Sequence, residues 1–584
     1  MVVLINIILV DGFLFHFRLV FMTIREYDQC QCSFKVDNPL NSIPKDHPCF
    51  IVDTVVESLD FSEFESKYGD TAGMPMYHRK LLLKLDLMGT IDGILSSRKI
   101  CQQTSFNDVY RFLAGNHEPN FRTLCISRDE NDEMYEKALL SIVIIGKKLG
   151  IVTLKHISTD GSYFKGDASV NNLFTKDDVK ILEELIQRRM DIDMAENLLY
   201  GDENYGIVEE DYYNAVQELI NQDIIDNTLK DIKNEIKTDE SVNDSIDTLK
   251  EEIKRPKLSK ITKKIKKVAK KAIKGDEKTL EKIEVVKKKL DEGWQDKVNM
   301  TDPDTFAGKN KKGVYESVYN IILACDSDSK FVLATLNSDS FVDTNQLIPM
   351  LEKLKSMDLI TENTIVSADS IFNTGEALEF LEKEGIKGLV PDKYEASVRK
   401  NEDYEAENKY HKHNFTYNFK NDSYTCPEGR ILPFKNQYKD GRKVYYNNEC
   451  KNCPAKKKCS KNQNTRVISA YPGEQAKQRM KIEMEKPENK EEYKKRNSTA
   501  ESPLGDIKHN NKIREFTVRG REKVYVESLK FSFSHNARIL VKTLSEQGLN
   551  IRKTIENIAE EIKNTLILNI FSKNYLKTLI VILD

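Results

Sequence analysis

Apolar positions dominate the first twenty residues, MVVLINIILVDGFLFHFRLV, with Asp11, His16 and Arg18 breaking the run. Those charges make it a poor membrane span, and it lacks the basic start and small-residue cleavage site of a signal peptide. Residues 1–21 read as a non-native extension ahead of a start at Met22. From 22 to 130 apolar residues recur at mixed three- and four-residue spacing, as in HRKLLLKLDLMGTIDGILSSRKI and FNDVYRFLAG. This predicts a helical domain. Short helices with basic residues between them suit DNA binding, and suit any small bundle equally.

The pattern then changes. KLGIVTLKHISTDGSYFKGDAS is rich in β-branched residues and predicts a strand running to Asp160–Gly161 and on through Tyr163 and Phe164. Residues 167–299 form a charged, helical insertion. Within it Leu258, Ile261, Ile265, Val268 and Ala272 make one apolar stripe, and the other faces are almost entirely Lys. Such a helix is a solvated arm, or one that tracks phosphates and releases their counterions.

From about 313 strands and helices alternate. VYNIILACD and KFVLATLNS predict two strands joined through Asp326–Ser329. TNQLIPMLEKLKSM predicts an amphipathic helix, NTIVSAD a buried strand, TGEALEFLEKEG a helix closing on Gly385, and IKGLVPD a further strand. With the inserts set aside, this is the order of an α/β, RNase H-like mixed sheet flanked by helices. The core is expected over 150–166 and 300–400, a Cys-containing insertion over 401–470, a catalytic helix region over 485–545, and an atypical tail over 546–584. The tail is apolar too, but Lys573 and Lys577 interrupt it.

A chain of 584 residues is too long for a single core. Charged residues make up 31% of it, yet the net charge is only −3, so its basic stretches are local and point to a polyanionic partner. Six of the ten Cys are scattered, which argues against a secreted disulfide framework and fits a reducing cytoplasm. The other four, Cys426, Cys450, Cys453 and Cys459, fall within 34 residues as C-x₂₃-C-x₂-C-x₅-C. A four-thiolate set binds Zn²⁺ tetrahedrally and closes a small loop-rich unit that could not fold by core burial alone. We expect a structural zinc knuckle there, with His411 and His413 as possible substitute ligands. Unpaired thiols are the plain alternative.

Asp160 and Asp369 lie at or near predicted strand ends. Acids on adjacent strands can converge on one point, and two Mg²⁺ ions about 4 Å apart can activate an attacking oxygen and stabilise a leaving one. With 93 acidic residues in the chain, two such Asp mean little alone. The stretch YKKRNSTAESPLGDIKHNNKIREF adds weight. Tyr493 and Arg496 share a helical face, and so would Glu501 and Lys508, two α-turns apart. Taken by itself that stretch is a charged surface helix.

In combination these motifs resemble the insertion-sequence DDE transposases marked by a Tyr-x₂-Arg…Glu-x₆-Lys signature. The blocks carrying the resemblance run in order from IPKDHPCFIVDTVVESLDF and GILSSRKI through HISTDGSYFKGDAS, MTDPDTF and VSADSIFNTGEALEFLEKEGI to KKRNSTAESPLGDIKHN and EFTVRGREKVYVESLKFSFSHNARIL. They cover roughly residues 22–545. The resemblance implies metal-dependent cleavage and strand transfer on DNA, with Asp160, Asp369 and Glu501 holding two Mg²⁺ or Mn²⁺ ions. Tyr493, Arg496 and Lys508 would contact the transposon-end strand. The partners would be terminal inverted repeats and target DNA, bridged by a homodimer, with no membrane, in a cytoplasmic protein working at the nucleoid. One departure stands out: four residues, Asn497–Ala500, separate Arg496 from Glu501, where the family pattern has three. The competing readings are an inactive, transposase-derived DNA-binding protein and a two-metal nuclease without strand transfer.

Overall fold

The computed structural model describes residues 9–10, 13–14, 38–62, 77–130, 132–187, 263–309, 313–401, 408–461, 465–499, 501–510, 515–559 and 561. The expected non-native extension falls almost entirely outside these residues, as do most of the tail and the Leu258–Ile261 end of the lysine-rich stripe.

After a short strand pair, Leu9–Val10 with Phe13–Leu14, and a 3₁₀ turn at Pro39–Ser42, the described residues form the helices α1 (Cys49–Glu57), α2 (Arg79–Ile91), α3 (Ser97–Gln103), α4 (Asp108–Leu113), α5 (Phe121–Asp129) and α6 (Asp132–Lys148). Their starts are written in the sequence. His78, Asn107 and Asn120 each cap a helix by accepting from a backbone N–H two residues on. The apolar residues of α1, α2 and α6 do not close a core among themselves. They join one continuous cluster with Ile157, Ile322 and Leu333 of the sheet and with Leu529, Phe533 and Leu540 of the last long helix.

The sheet begins with β1 (His156–Lys165). The insertion follows. In it β2 (Leu173–Phe174) pairs with β3 (Val298–Asn299), and α7 (Lys263–Ile273) and α8 (Glu277–Asp291) pack over them. Phe174, Leu182, Ile265, Ala269, Val286 and Leu290 form a small core there. The insert is therefore a folded unit at its base. The seam on α7 uses Ala269 where the sequence pattern suggests Val268.

The sheet resumes with β4 (Phe306–Lys309), β5 (Tyr315–Asp326) and β6 (Val332–Asn337). Helix α9 (Leu347–Ser356), β7 (Ile365–Ala368), α10 (Gly375–Lys383), β8 (Lys387–Leu389) and α11 (Lys393–Lys400) complete this part. The spatial order is β8-β7-β1-β5-β4, with β6 also paired to β5. β8, β7 and β1 run parallel, and β5 runs antiparallel to β1, β4 and β6. This mixed sheet with flanking helices is compatible with an RNase H-like core. Strand β4 is not anticipated by the sequence pattern, because it is only four residues long and Gly308 and Lys309 hide its alternation.

The Cys-bearing region is not the loop-rich unit expected. Strands β9 (Thr416–Asn418), β10 (Ser423–Thr425), β11 (Ile431–Gln437), β12 (Lys443–Tyr446) and β13 (Val467–Ala470) form a five-stranded antiparallel meander. Phe415, Tyr417, Tyr424, Leu432, Tyr445 and Ile468 fill its core, so aromatic burial supplies what the Cys spacing alone would assign to a metal. Beyond it come α12 (Glu474–Glu485), α13 (Pro487–Thr499), α14 (Glu501–Gly505) with a π-helical turn over Asp506–Asn510, and the 26-residue α15 (Arg521–Glu546).

Helix α15 packs against α2, α6 and β6, so the two ends of the described chain share one core. At their junction Asp86 is fully buried. It accepts from Arg128 Nε at 2.9 Å, Tyr135 Oη at 2.8 Å and Lys530 Nζ at 2.9 Å. The two cations hold its carboxyl well below the usual carboxylate range against the opposing cost of burial.

Candidate active site

Strands β1 and β7 are in parallel register, with Thr159 opposite Ala368. Asp160 and Asp369 are each one residue beyond that pair, so the fold delivers both acids to one place. Period-two alternation puts His156, Ser158 and Asp160 on one side of β1. Beside them Ser367 lies two residues before Asp369. His156 Nε2 and Ser367 Oγ are 2.8 Å apart, and Ser158 Oγ is 3.1 Å from Ser367 Oγ. The result is a polar row leading to the acids.

Helix α13 lies over that row. Its Glu492 pairs with His156 Nδ1 at 2.9 Å, its Tyr493 hydroxyl donates to Ala368 O at 3.4 Å, and its Thr499 hydroxyl reaches Ser327 O at 3.3 Å. Arg496, buried between these contacts, places Nη2 3.1 Å from Asp160 Oδ1. Its Nε has no hydrogen-bond partner among the described residues.

Asp160 is pushed up to about 6. Burial is the main cause, Arg496 opposes it, and the charges of Asp369 and Asp343 add to it. Asp343 is an acid that the sequence pattern does not reveal. It sits in a single turn of 3₁₀ helix, Asp343–Asn345, where its Oδ1 accepts from the buried Asn320 Nδ2 at 2.6 Å. Burial, then the charge of Asp369, raises its pKa as well. Its carboxylate covers Gly161: a Cβ there would lie 2.6–2.8 Å from Asp343 Oδ2, Cγ and Oδ1. Gly161 is thus a mid-strand residue kept small by a neighbouring acid, not a turn residue. Nothing in the local sequence marks Asp343. His156, Ser158 and Ser367 could have been found from their two-residue spacing to Asp160 and Asp369.

Glu501 opens α14, directly after the helix carrying Arg496; its side chain lies outside the described residues. Lys508 sits in the π turn. It donates to Ser162 Oγ at 2.5 Å and Tyr163 O at 2.7 Å, and stands over the Phe164 ring. The expectation that Glu501 and Lys508 share a face assumes unbroken α geometry. The wider i→i+5 turn changes the phase between them, so their common face does not follow from spacing.

Cys426, Cys450, Cys453 and Cys459 come together at the edge of the meander. Burial raises the Cys459 thiol, and the other three thiols raise it further. Among the described residues, however, no group of three or more His, Cys, Asp or Glu is arranged to hold a metal ion. His413 and His411 are engaged elsewhere, both stacked on Tyr394. No helix of the described residues is long and apolar enough to cross a membrane.

Two comparisons with known families match. Residues 425–541 match the family described as Transposase DDE domain, and residues 37–130 match Transposase domain (DUF772). The first takes in the four Cys and strands β11 to β13 of the meander together with Tyr493, Arg496, Glu501 and Lys508, and the second spans the helices α1 to α5. Asp160 and Asp369 lie between the two matches. No curated protein and no solved structure matches the chain.

Proposed function

We propose that this chain, which belongs to the insertion-sequence DDE transposases, cleaves the ends of its own mobile element and joins them to target DNA. The observation that carries the proposal is the placement of Asp160 and Asp369 side by side on parallel strands, under a helix that brings Arg496 to Asp160 and leads into Glu501.

The donor set fits Mg²⁺ or Mn²⁺. These ions take oxygen ligands, retain waters and need only one or two carboxylates plus substrate phosphates, so no closed protein cage is required. Asp160 and Asp343, both raised by burial and by the charge of Asp369, are also groups that a divalent cation would relieve. Asp160, Asp369 and Glu501 would hold the ions, which when bound supply a low-pKa attacking oxygen and charge neutralisation at the leaving oxygen. The remaining work falls to the chain. Tyr493 and Glu492 seat α13 on the sheet. Arg496 is released from Asp160 to a phosphate oxygen as DNA enters, a guanidinium being suited to bidentate grip. Lys508 offers a point charge to the same strand from further along β1, where it contacts Ser162 and Tyr163. DNA would be bridged by a homodimer.

A structural Zn²⁺ on the four Cys belongs to this proposal, supported by the convergence of the thiols alone. Zinc quantitation after dialysis should give one ion per chain in the wild type and none in Cys453→Ser; a zinc-free, folded wild type would remove it.

The functional test uses a DNA fragment carrying the element's terminal repeats. Wild-type protein with Mg²⁺ is expected to give nicks and then joined products, and chelator should abolish both. Nicks without joining would leave only a nuclease.

A further inference from the structure

Beside the acids lies a cavity of about 470 Å³ that the mechanism above does not use. It borders Thr344 and Ser370, the residues that follow Asp343 and Asp369, and runs outward between α11 and α12. Four lysines line it, Lys393, Lys412, Lys477 and Lys481, against two acids, Asp392 and Glu474. Both acids are committed. Asp392 binds His413 Nδ1 and caps α11 by accepting from Glu395 N, and Glu474 pairs with Lys412 at 2.7 Å and accepts from the Tyr424 hydroxyl at 3.2 Å. Lys481 donates to His413 O. Lys393 and Lys477 form no ion pair among the described residues, so the cavity keeps a net positive wall.

One side of the cavity is aromatic. Tyr394 is buried between two imidazoles, with centroids 4.6 Å from His411 at 15° and 4.6 Å from His413 at 17°. His411 is the exposed end of this stack. Its ring is fixed from behind, Nδ1 accepting from His413 N at 3.2 Å. One flat face is therefore held in place and left open.

We infer that this cavity is a single-strand subsite, in which Lys393 and Lys477 take backbone phosphates and His411 stacks on a nucleobase as the DNA strand leaves the acids. Cations near an open ring face are the combination that single-stranded nucleic acid uses: charge along the backbone and stacking for the bases. The volume decides against a duplex. It lies in the range of small-molecule sites, roughly 300–1,000 Å³, room for a nucleotide or so. The inference rests on the DNA-cleaving role proposed above and adds where one strand runs.

The test is fluorescence anisotropy of a labelled dT₁₂ oligonucleotide titrated with full-length protein across a salt series, in chelator so that no cleavage occurs. Replacing both lysines in K393A/K477A should flatten the log K against log salt slope by about 1.4, since each single-strand phosphate contact contributes about 0.7. K393R/K477R should restore it. His411→Ala should weaken binding by about fivefold or more without altering the slope, and His411→Phe should recover most of the loss. If wild type binds dT₁₂ and these variants match it, the subsite is wrong and the cleavage proposal stands. The subsite is equally wrong if wild type nicks duplex ends but does not bind dT₁₂. If it neither binds nor nicks any DNA, both fall together.

Discussion

At the residue scale the site is governed by how closely acids are packed. Asp160 is pushed up to about 6 because partial burial desolvates it and because it shares its surroundings with Asp369 and Asp343. Its folded-state value lies above the unfolded one, so the neutral form is the one the fold favours. The stability this confers is complete below about pH 4 and is lost as pH rises through 6. Asp160→Asn should therefore be more stable than wild type at pH 7.5 in chelator, by roughly 2 kcal/mol, and equal to it near pH 4. Urea melts at the two pH values check this; a pH-independent difference would mean that charge is not the cause. Gly161 tests the neighbouring acid. Gly161→Ala must push the Asp343 carboxylate aside, and should cost at least about tenfold in strand cleavage with little change in melting temperature. Full activity in that variant would leave Asp343 with no part in the site.

At the element scale, the helical amino-terminal region and α15 act as one body around Asp86. That Asp is fully buried with Arg128 and Lys530, from three different helices, and removing it strands two cations away from water. Asp86→Ala should cost about 3–5 kcal/mol in equilibrium unfolding, the cost of breaking a buried ion pair from one side. A loss under about 1 kcal/mol would show that water reaches the junction. This junction is not legible in the sequence, where Asp86 and Lys530 are ordinary charged residues of two helices 444 positions apart. What is legible is local and periodic. The strands at 156, 315, 332 and 365 and the helices at 347 and 375 follow from alternation, caps and Gly385. The meander escapes such a reading because its strands are short and polar outside, with their apolar content in Tyr residues that pair only across the sheet. Asp343 escapes it for a related reason: its importance comes from what lies across from it, Gly161 and Asn320, and not from its own neighbours in the chain.

At the scale of the whole molecule, the chain supports one platform with additions. The mixed sheet presents Asp160 and Asp369. The amino-terminal helices and α15 brace it from behind, while α13 closes over the acids from the carboxy-terminal side. The two insertions leave the sheet intact, because each carries its own small core. Helix α7 keeps its Lys-rich faces outward from one of them, and the cavity beside Ser370 opens next to the other. Under the proposed function, such a layout would let DNA be held at several points around the acids, as phosphoryl transfer by positioning requires.

In the proposed function everything depends on Asp160 and Asp369 acting as metal-holding acids of a DNA-cleaving site. Single-turnover nicking of a labelled terminal-repeat duplex in Mg²⁺, comparing wild type with Asp160→Ala and Asp369→Ala, probes that dependence at its root. Each variant is expected to fold, to bind the duplex and to nick it at least about a hundredfold more slowly, since even changes to the groups that orient metal ligands cost 10–100-fold. Nicking at the wild-type rate by either variant would contradict the proposal.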